Sequence, residues 1–259
     1  MTLQSPDSNA PAQPGEARVP VTLKAVIKKP TVTYVILAVT ISIYGLQYLS
    51  QALTGGAYDL PFFLGGKINE FILKGEIWRL ITPVLLHGSL MHIAFNMYAL
   101  FSIGPSLERH YGHSRFLMLY LIGGFAGNAL SFVLSPNPSL GASTAVFGLV
   151  AAEAVFIFKN RNLFGNRARS MLMNLGLIII VNLALGLSAG SGIDNWGHLG
   201  GLAGGLIFAW EAGPLYKIQT GGATGYELLD SKSREQVWWG VMLSAGLFTA
   251  VVIGRLLVK

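Results

Sequence analysis

Seven stretches of apolar sequence, most close to 20 residues long, constrain this chain more than any other feature. They lie near 32–52, 86–106, 114–134, 143–159, 170–189, 197–216 and 236–257. A helix needs about 20 consecutive apolar residues to cross the hydrocarbon slab of a bilayer. Within lipid, only helices and closed barrels satisfy every backbone polar group internally. No strand pattern and no internal repeat is visible, so the expected fold is an all-α polytopic membrane protein. The composition agrees: 12% of residues are charged and 52% hydrophobic, whereas soluble domains carry about 25% charge. The 32 glycines suit close approach of helices in a bilayer. Cysteine is absent, which excludes disulfides, thiol nucleophiles and thiolate metal sites.

Four segments follow. Residues 1–30, rich in Pro, Ala, Ser and Gln, read as a flexible cytoplasmic tail, with no signal-peptide pattern. Residues 31–216 hold six spans. Residues 217–235 form a polar cytoplasmic linker, and 236–259 an additional carboxy-terminal transmembrane helix. The longest connection among the first six spans, 53–80, contains "KINEFILKGEIWRL", which suggests short interfacial helices. The net charge of +6 is a topology signal rather than a sign of nucleic-acid binding, because no nucleic-acid motif accompanies it. With the amino terminus in the cytoplasm, 13 of the 18 basic residues fall inside and 5 outside, as the positive-inside rule requires.

Unusual polar residues recur at one depth. His92 and Asn96, in "HIAFN", lie four apart and share a helix face. Ser143 opens the fourth span and His198 the sixth. Spans two, four and six run in the same direction. From His92 to Arg109 is 17 residues, from Ser143 to Lys159 is 16, and from His198 to Lys217 is 19. At about 1.5 Å per residue, the three sit within roughly 5 Å of one another in depth, somewhat below the outer surface. The lead-in "SPNPSLGA" cannot be helical throughout. Such backbone is tolerated at membrane depth only against protein or water, which points to a hydrated pocket open to the outside.

A serine with a histidine in hydrogen-bond reach can attack an acyl carbon. The developing oxyanion needs donors, and the Ser143 amide, His92 and Asn96 are candidates. Asp194, four residues before His198, is not expected to orient it, so a Ser-His dyad is the simpler reading. No metal or cofactor is expected; H-E-x-x-H is absent, and Ala145 breaks the G-x-S-x-G pattern of the α/β-hydrolases. Against this stand blander readings: Ser143 as a helix N-cap, Asn96 as interhelical glue, and Trp78 and Arg79 as interfacial anchors. His87 is expected to be an ordinary boundary residue, and His110 and His113 to be solvated. Glu153, ten residues into the fourth span, is expected to make a structural hydrogen bond to a neighbouring helix.

At these residues the chain resembles the rhomboid family of intramembrane serine proteases. "GASTAVFGL" is similar to the family's G-x-S-G region at Gly141 and Ser143, "HIAFN" to its H-x-x-x-N element, and "GHLGGLAGG" to its histidine helix. "WR" at Trp78 and Arg79 resembles the element of its first outer loop. The resemblance implies a six-helix core with one extra carboxy-terminal helix, and Ser143 and His198 as the catalytic pair. It implies His92, Asn96 and the Ser143 amide as oxyanion donors, Phe147 as an aromatic ring against the histidine, and Gly201 and Gly205 as close-packing positions. Its implied partners are single-span or polytopic membrane protein substrates within the lipid bilayer, cleaved near the outer end of a transmembrane segment; oligomeric state stays open. Thr144 departs from the family's usual glycine, with an expected narrowing around the oxyanion site. Two alternatives remain: a catalytically impaired relative that binds transmembrane segments, and a polytopic transporter using Glu153 and the histidines.

Overall fold

The computed structural model describes residues 29–188, 190–221 and 225–258; the expected tail at 1–30 lies outside them except for Lys29 and Pro30. The described chain is helical for most of its length. Its long helices are α1 (Thr31–Leu53), α4 (Leu90–Tyr111), α5 (His113–Leu134), α6 (Ser143–Lys159), α8 (Arg167–Gly186), α9 (Asn195–Ala212) and α10 (Arg234–Leu257). Short helices α2 (Leu60–Gly65), α3 (Asn69–Leu73) and α7 (Arg161–Phe164) lie in connections. The chain is thus an all-α polytopic membrane protein.

Seven spans were expected, and five helices among the described residues are long and apolar enough to cross a membrane: α1, α4, α5, α8 and α10. The other two, α6 and α9, have 17 and 18 residues. They are the centre of the bundle. In α6, 12 of 17 residues are buried, so its neighbours rather than lipid set how far it must extend. The second span also begins later than expected. Residues 77–80 and 82–85 are 3-10 turns, and the α-helix starts only at Leu90, where the Ser89 side chain caps the His92 amide.

Glycine sets the spacing of the core. A Cβ at Gly201 would lie 2.1 Å from the Thr144 carbonyl oxygen, and one at Gly205 2.2 Å from that of Gly148. On the other side of α6, a Cβ at Gly148 would lie 3.0 Å from the Cα of Gly123 on α5. Helices α5, α6 and α9 therefore touch backbone to backbone, an arrangement open only to the smallest residue. Helix α10 covers α5 and α9, with Phe248 and Val252 against Ala126, Ala129 and Phe132. Helix α8 is peripheral: only Ala168 and Leu175 of its 20 residues are buried.

The connection from 54 to 89 is a compact layer rather than a loose loop. Arg79 is almost fully buried; its guanidinium donates to the Gly66 and Phe63 carbonyls at 2.9 and 2.6 Å and to Glu76 at 2.7 Å. Trp78 stays half-exposed, its indole N–H donating to Leu64 at 3.1 Å. Lys67 is buried, donating to the carbonyls of Ser135 and Asn137 at the end of α5.

A β-hairpin corrects the expectation of no strands. Strands β1 (Tyr216–Gly221) and β2 (Gly225–Asp230) pair antiparallel inside the segment read as a plain linker. The turn signal was the run "TGGATG" between two polar-apolar stretches. Arg115 holds the base of the hairpin through Asp230 at 2.6 Å. Because α9 ends at Ala212 and β1 follows, the depth count from His198 to Lys217 overstates the helical rise. His110 is less solvated than expected, packing on Phe156 with centroids 4.4 Å apart, whereas the His113 side chain stays partly exposed while it bonds Glu108 at 2.5 Å. The same Glu108 carboxylate accepts from the Val32 and Thr33 amides, capping the start of α1.

Candidate active site

The serine sits at a helix start prepared by its lead-in. Ser139 and Lys67 exchange backbone hydrogen bonds at 2.9 and 3.0 Å, and the Gly141 amide donates to Pro83 at 2.9 Å. These bonds hold the non-helical lead-in against the layer of residues 54–89. Gly141 has φ +131, and a Cβ there would lie 2.7–2.8 Å from the His92 ring. Both conditions demand glycine. The Ser143 hydroxyl caps nothing: the N-cap position is Ala142, and no side chain caps the helix. The plain capping reading of Ser143 therefore does not hold.

The hydroxyl instead meets the histidine helix. His198 Nε2 lies 2.9 Å from Ser143 Oγ, and the Phe147 ring stacks on the imidazole with centroids 4.1 Å apart and planes 11° apart. His198 is buried. Its Nδ1 has no partner among the described residues. Asp194 is engaged elsewhere: one oxygen caps α9 at the Gly197 amide at 2.9 Å, and the other accepts from Ser131 on α5. Among the described residues, then, no carboxylate hydrogen-bonds the imidazole.

His92 borders the pair from α4. The Gly88 amide points at its Nδ1 at 3.5 Å. That leaves Nε2 as the ring nitrogen carrying the hydrogen, a donor facing Gly141 and the serine. Asn96 is buried one turn further on, and its amide donates to the His92 carbonyl at 2.9 Å. Ser143, His198, His92, Gly141 and Phe147 thus come together, with Asn96 in the adjoining turn. Trp78 and Arg79 do not reach them; they organise the layer beside the lead-in.

Thr144 points away from the site, against expectation. A Cβ at Gly127 on α5 would lie 2.5 Å from the Thr144 Cβ, and one at Gly197 on α9 3.0 Å from its Cγ2. The threonine fills the space that those two glycines leave, and its hydroxyl is buried without a partner among the described residues. The Glu153 Oε2 is likewise buried without a partner among the described residues, so that oxygen makes no hydrogen bond to a neighbouring helix.

His87 is a site residue that the sequence did not reveal. It is 1% exposed, its Nε2 lies 3.4 Å from the Ala142 amide, and its ring meets His92 edge-on at 5.0 Å. Burial, and then the neighbouring His92, push its pKa down to about 3, so the ring is neutral across the physiological range. Its own backbone amide donates to Gln47 of α1 at 2.9 Å. Two signals pointed here: a glutamine within an apolar span, and a third histidine just ahead of "HIAFN".

Sequence comparisons bear on the same segments. The family model of the rhomboid domain matches residues 74–214, more than half of the chain. The rhomboid protease GluP of Bacillus subtilis (strain 168) is 42% identical over 203 residues, covering 78% of this chain and 38% of that protein. From Arabidopsis thaliana, RHOMBOID-like protein 9, chloroplastic, is 34% identical over 172 residues, 66% of this chain and 39% of its own. RHOMBOID-like protein 4 is 41% identical over 149 residues, 57% and 37%. The chain spans less than two-fifths of the length of each of these relatives. The matched region runs from the layer that braces the lead-in, through the serine and histidine helices, to the end of α9, and on that match this chain belongs to the rhomboid family.

Proposed function

We propose that this chain is an intramembrane serine endopeptidase that hydrolyses peptide bonds in or near the transmembrane segments of membrane proteins. The observation that carries the reading is the 2.9 Å approach of His198 Nε2 to Ser143 Oγ, under a stacked Phe147 ring. Ser143 Oγ attacks the scissile carbonyl carbon while His198 Nε2 takes the hydroxyl proton. The tetrahedral oxyanion is held by the Ser143 amide, which is free at a helix start, and by donors from His92 and Asn96. Collapse of that intermediate breaks the carbon–nitrogen bond, and His198 returns the proton to the leaving amine. Water, activated by the same imidazole, then releases the acyl group.

Topology and organisation belong to the same proposal. The amino terminus lies in the cytoplasm, as the 13-to-5 distribution of basic residues favours, and the site opens toward the outer face. Residues 31–216 form the catalytic core, and the segment after it leads on the cytoplasmic side to α10. Substrates are single-span or polytopic membrane proteins that reach the site from the bilayer.

The test is cleavage of a single-span substrate by protein reconstituted in liposomes. Ser143→Ala and His198→Ala are expected to fold and to lose cleavage by at least about 10³-fold, as for other Ser-His catalysts. A fluorophosphonate is expected to modify Ser143 in the wild type and not in His198→Ala. Undiminished cleavage by purified Ser143→Ala would overturn the mechanism.

A further inference from the structure

Beside His92, a chain of polar groups, buried from Gln47 onward, leads from α1 to the residue preceding Ser143. Asp59 accepts from Gln47 Nε2 at 2.8 Å and from Gln51 Nε2 at 3.0 Å, and its other oxygen caps α2 at the Phe62 amide. Gln47, 1% exposed, accepts from the His87 amide. His87, also 1% exposed, meets the Ala142 amide with Nε2 and the His92 ring with its edge. In the reaction described above, none of these groups touches substrate. Burying polar groups is costly unless a structure or function depends on them. This chain ends beside two components that shape the oxyanion site: the Gly141–Ala142 peptide, one before that of the Ser143 amide, and the imidazole of His92.

We infer that His87 is a positioning residue of the active site, holding the Gly141–Ala142–Ser143 turn and the His92 ring in reactive register through an imidazole that only accepts at Nε2. The inference rests on the protease reading above and extends it to a residue that takes no part in bond making. Three features carry it. The imidazole is neutral, so Nε2 has a lone pair free to accept from the Ala142 amide. It is boxed in, so the ring cannot swing when the serine moves. Its backbone is tied by Gln47 to α1, so the position is referenced to a helix that contributes no catalytic group. Loss of the acceptor frees the Gly141–Ala142 peptide to rotate, and through Ala142 the change reaches the Ser143 amide that follows. A misplacement of about 1 Å at such a site costs on the order of 100-fold in rate.

The experiment compares His87→Leu, His87→Gln and Gln47→Leu with the wild type in liposomes. It reads kcat and KM for a single-span substrate, the rate of Ser143 modification by a fluorophosphonate, and the thermal midpoint. His87→Leu is expected to lower kcat and the modification rate together by about 10–100-fold, with KM changed by less than about twofold. In His87→Gln the side-chain oxygen can take the place of Nε2 as acceptor, and at least a tenth of the wild-type kcat is expected to return. Gln47→Leu, which leaves the ring intact and removes its anchor together with the bond to Asp59, is expected to fall between them. Should His87→Leu fail to fold, the graded response of the other two decides. Wild-type rates in His87→Leu, or a His87→Gln no better than His87→Leu, overturn the inference while leaving the protease reading in place. A wild-type protein that neither cleaves nor takes the label at Ser143 overturns the protease reading itself, and this inference with it.

Discussion

Helices α6 and α8 neighbour each other but are built on opposite terms. Helix α6 buries 12 of its 17 residues, and α8 buries 2 of 20. On α6, Gly148 lies against Gly123 of α5 and against Gly201 and Gly205 of α9. On α8, Gly176 has nothing within 4 Å of where a Cβ would be, and Met173, Leu177 and Ile180 are exposed. The same residue type is thus a contact surface in one helix and a neutral filler in the other. Both helices are apolar, and lipid is as good a solvent for leucine as another helix is. The difference is therefore one of backbone approach and not of hydrophobicity, and it falls where the helices of Ser143 and His198 meet.

The sharpest way to break that contrast is a matched pair of substitutions. Gly201→Val places a branched side chain where the Thr144 carbonyl stands. It is expected to cost about 3 kcal/mol and to abolish labelling of Ser143; Gly176→Val on α8 is expected to change stability by no more than about 0.5 kcal/mol. Reversible unfolding in mild detergent measures both, and equal costs would remove the contrast. Phe147→Leu, next in size, keeps an apolar side chain there, somewhat smaller, and loses the stacked ring. Such contacts are worth about 0.5–1.5 kcal/mol, so the labelling rate is expected to fall about 2–10-fold while the thermal midpoint moves little.

Thr144→Val tests the centre more gently. It keeps the shape that fills the gap beside Gly127 and Gly197 and removes a buried hydroxyl without a partner. A gain of about 1 kcal/mol is expected, with kcat unchanged because the side chain points away from the oxyanion site. A fall in kcat would return Thr144 to the site that its position in the sequence first suggested. The smallest effect belongs to the edge: Gly176→Ala is expected to stabilise α8 by up to about 1 kcal/mol, through helix propensity alone, without altering cleavage.

Much of the architecture was legible from residue type and order. Hydropathy located every long helix, because burial in lipid is a property of each segment taken singly. The spacing of His92 and Asn96, and the common depth of Ser143 and His198, pointed to one layer of the membrane. Depth says nothing about direction around the bundle, however. The hairpin at 216–230 was missed because its strands are short and polar and are anchored from afar, by Arg115 on α5. His87 was missed because it lies five residues before His92, off the helical spacing and on a different local structure.

Sequence alone determined that the chain is a bundle of apolar helices, and that a serine opens one helix and a histidine stands near the start of another. Only the tertiary structure decided that Asp194 turns to α5 and to its own helix start, that Thr144 packs between α5 and α9, and that His87 and Gln47 come up beside His92 and Ala142 from outside the motifs. Hydropathy and spacing are read along a single segment. The company that a side chain keeps depends on how closely two backbones approach and at what angle, and here glycines on three helices set that approach together.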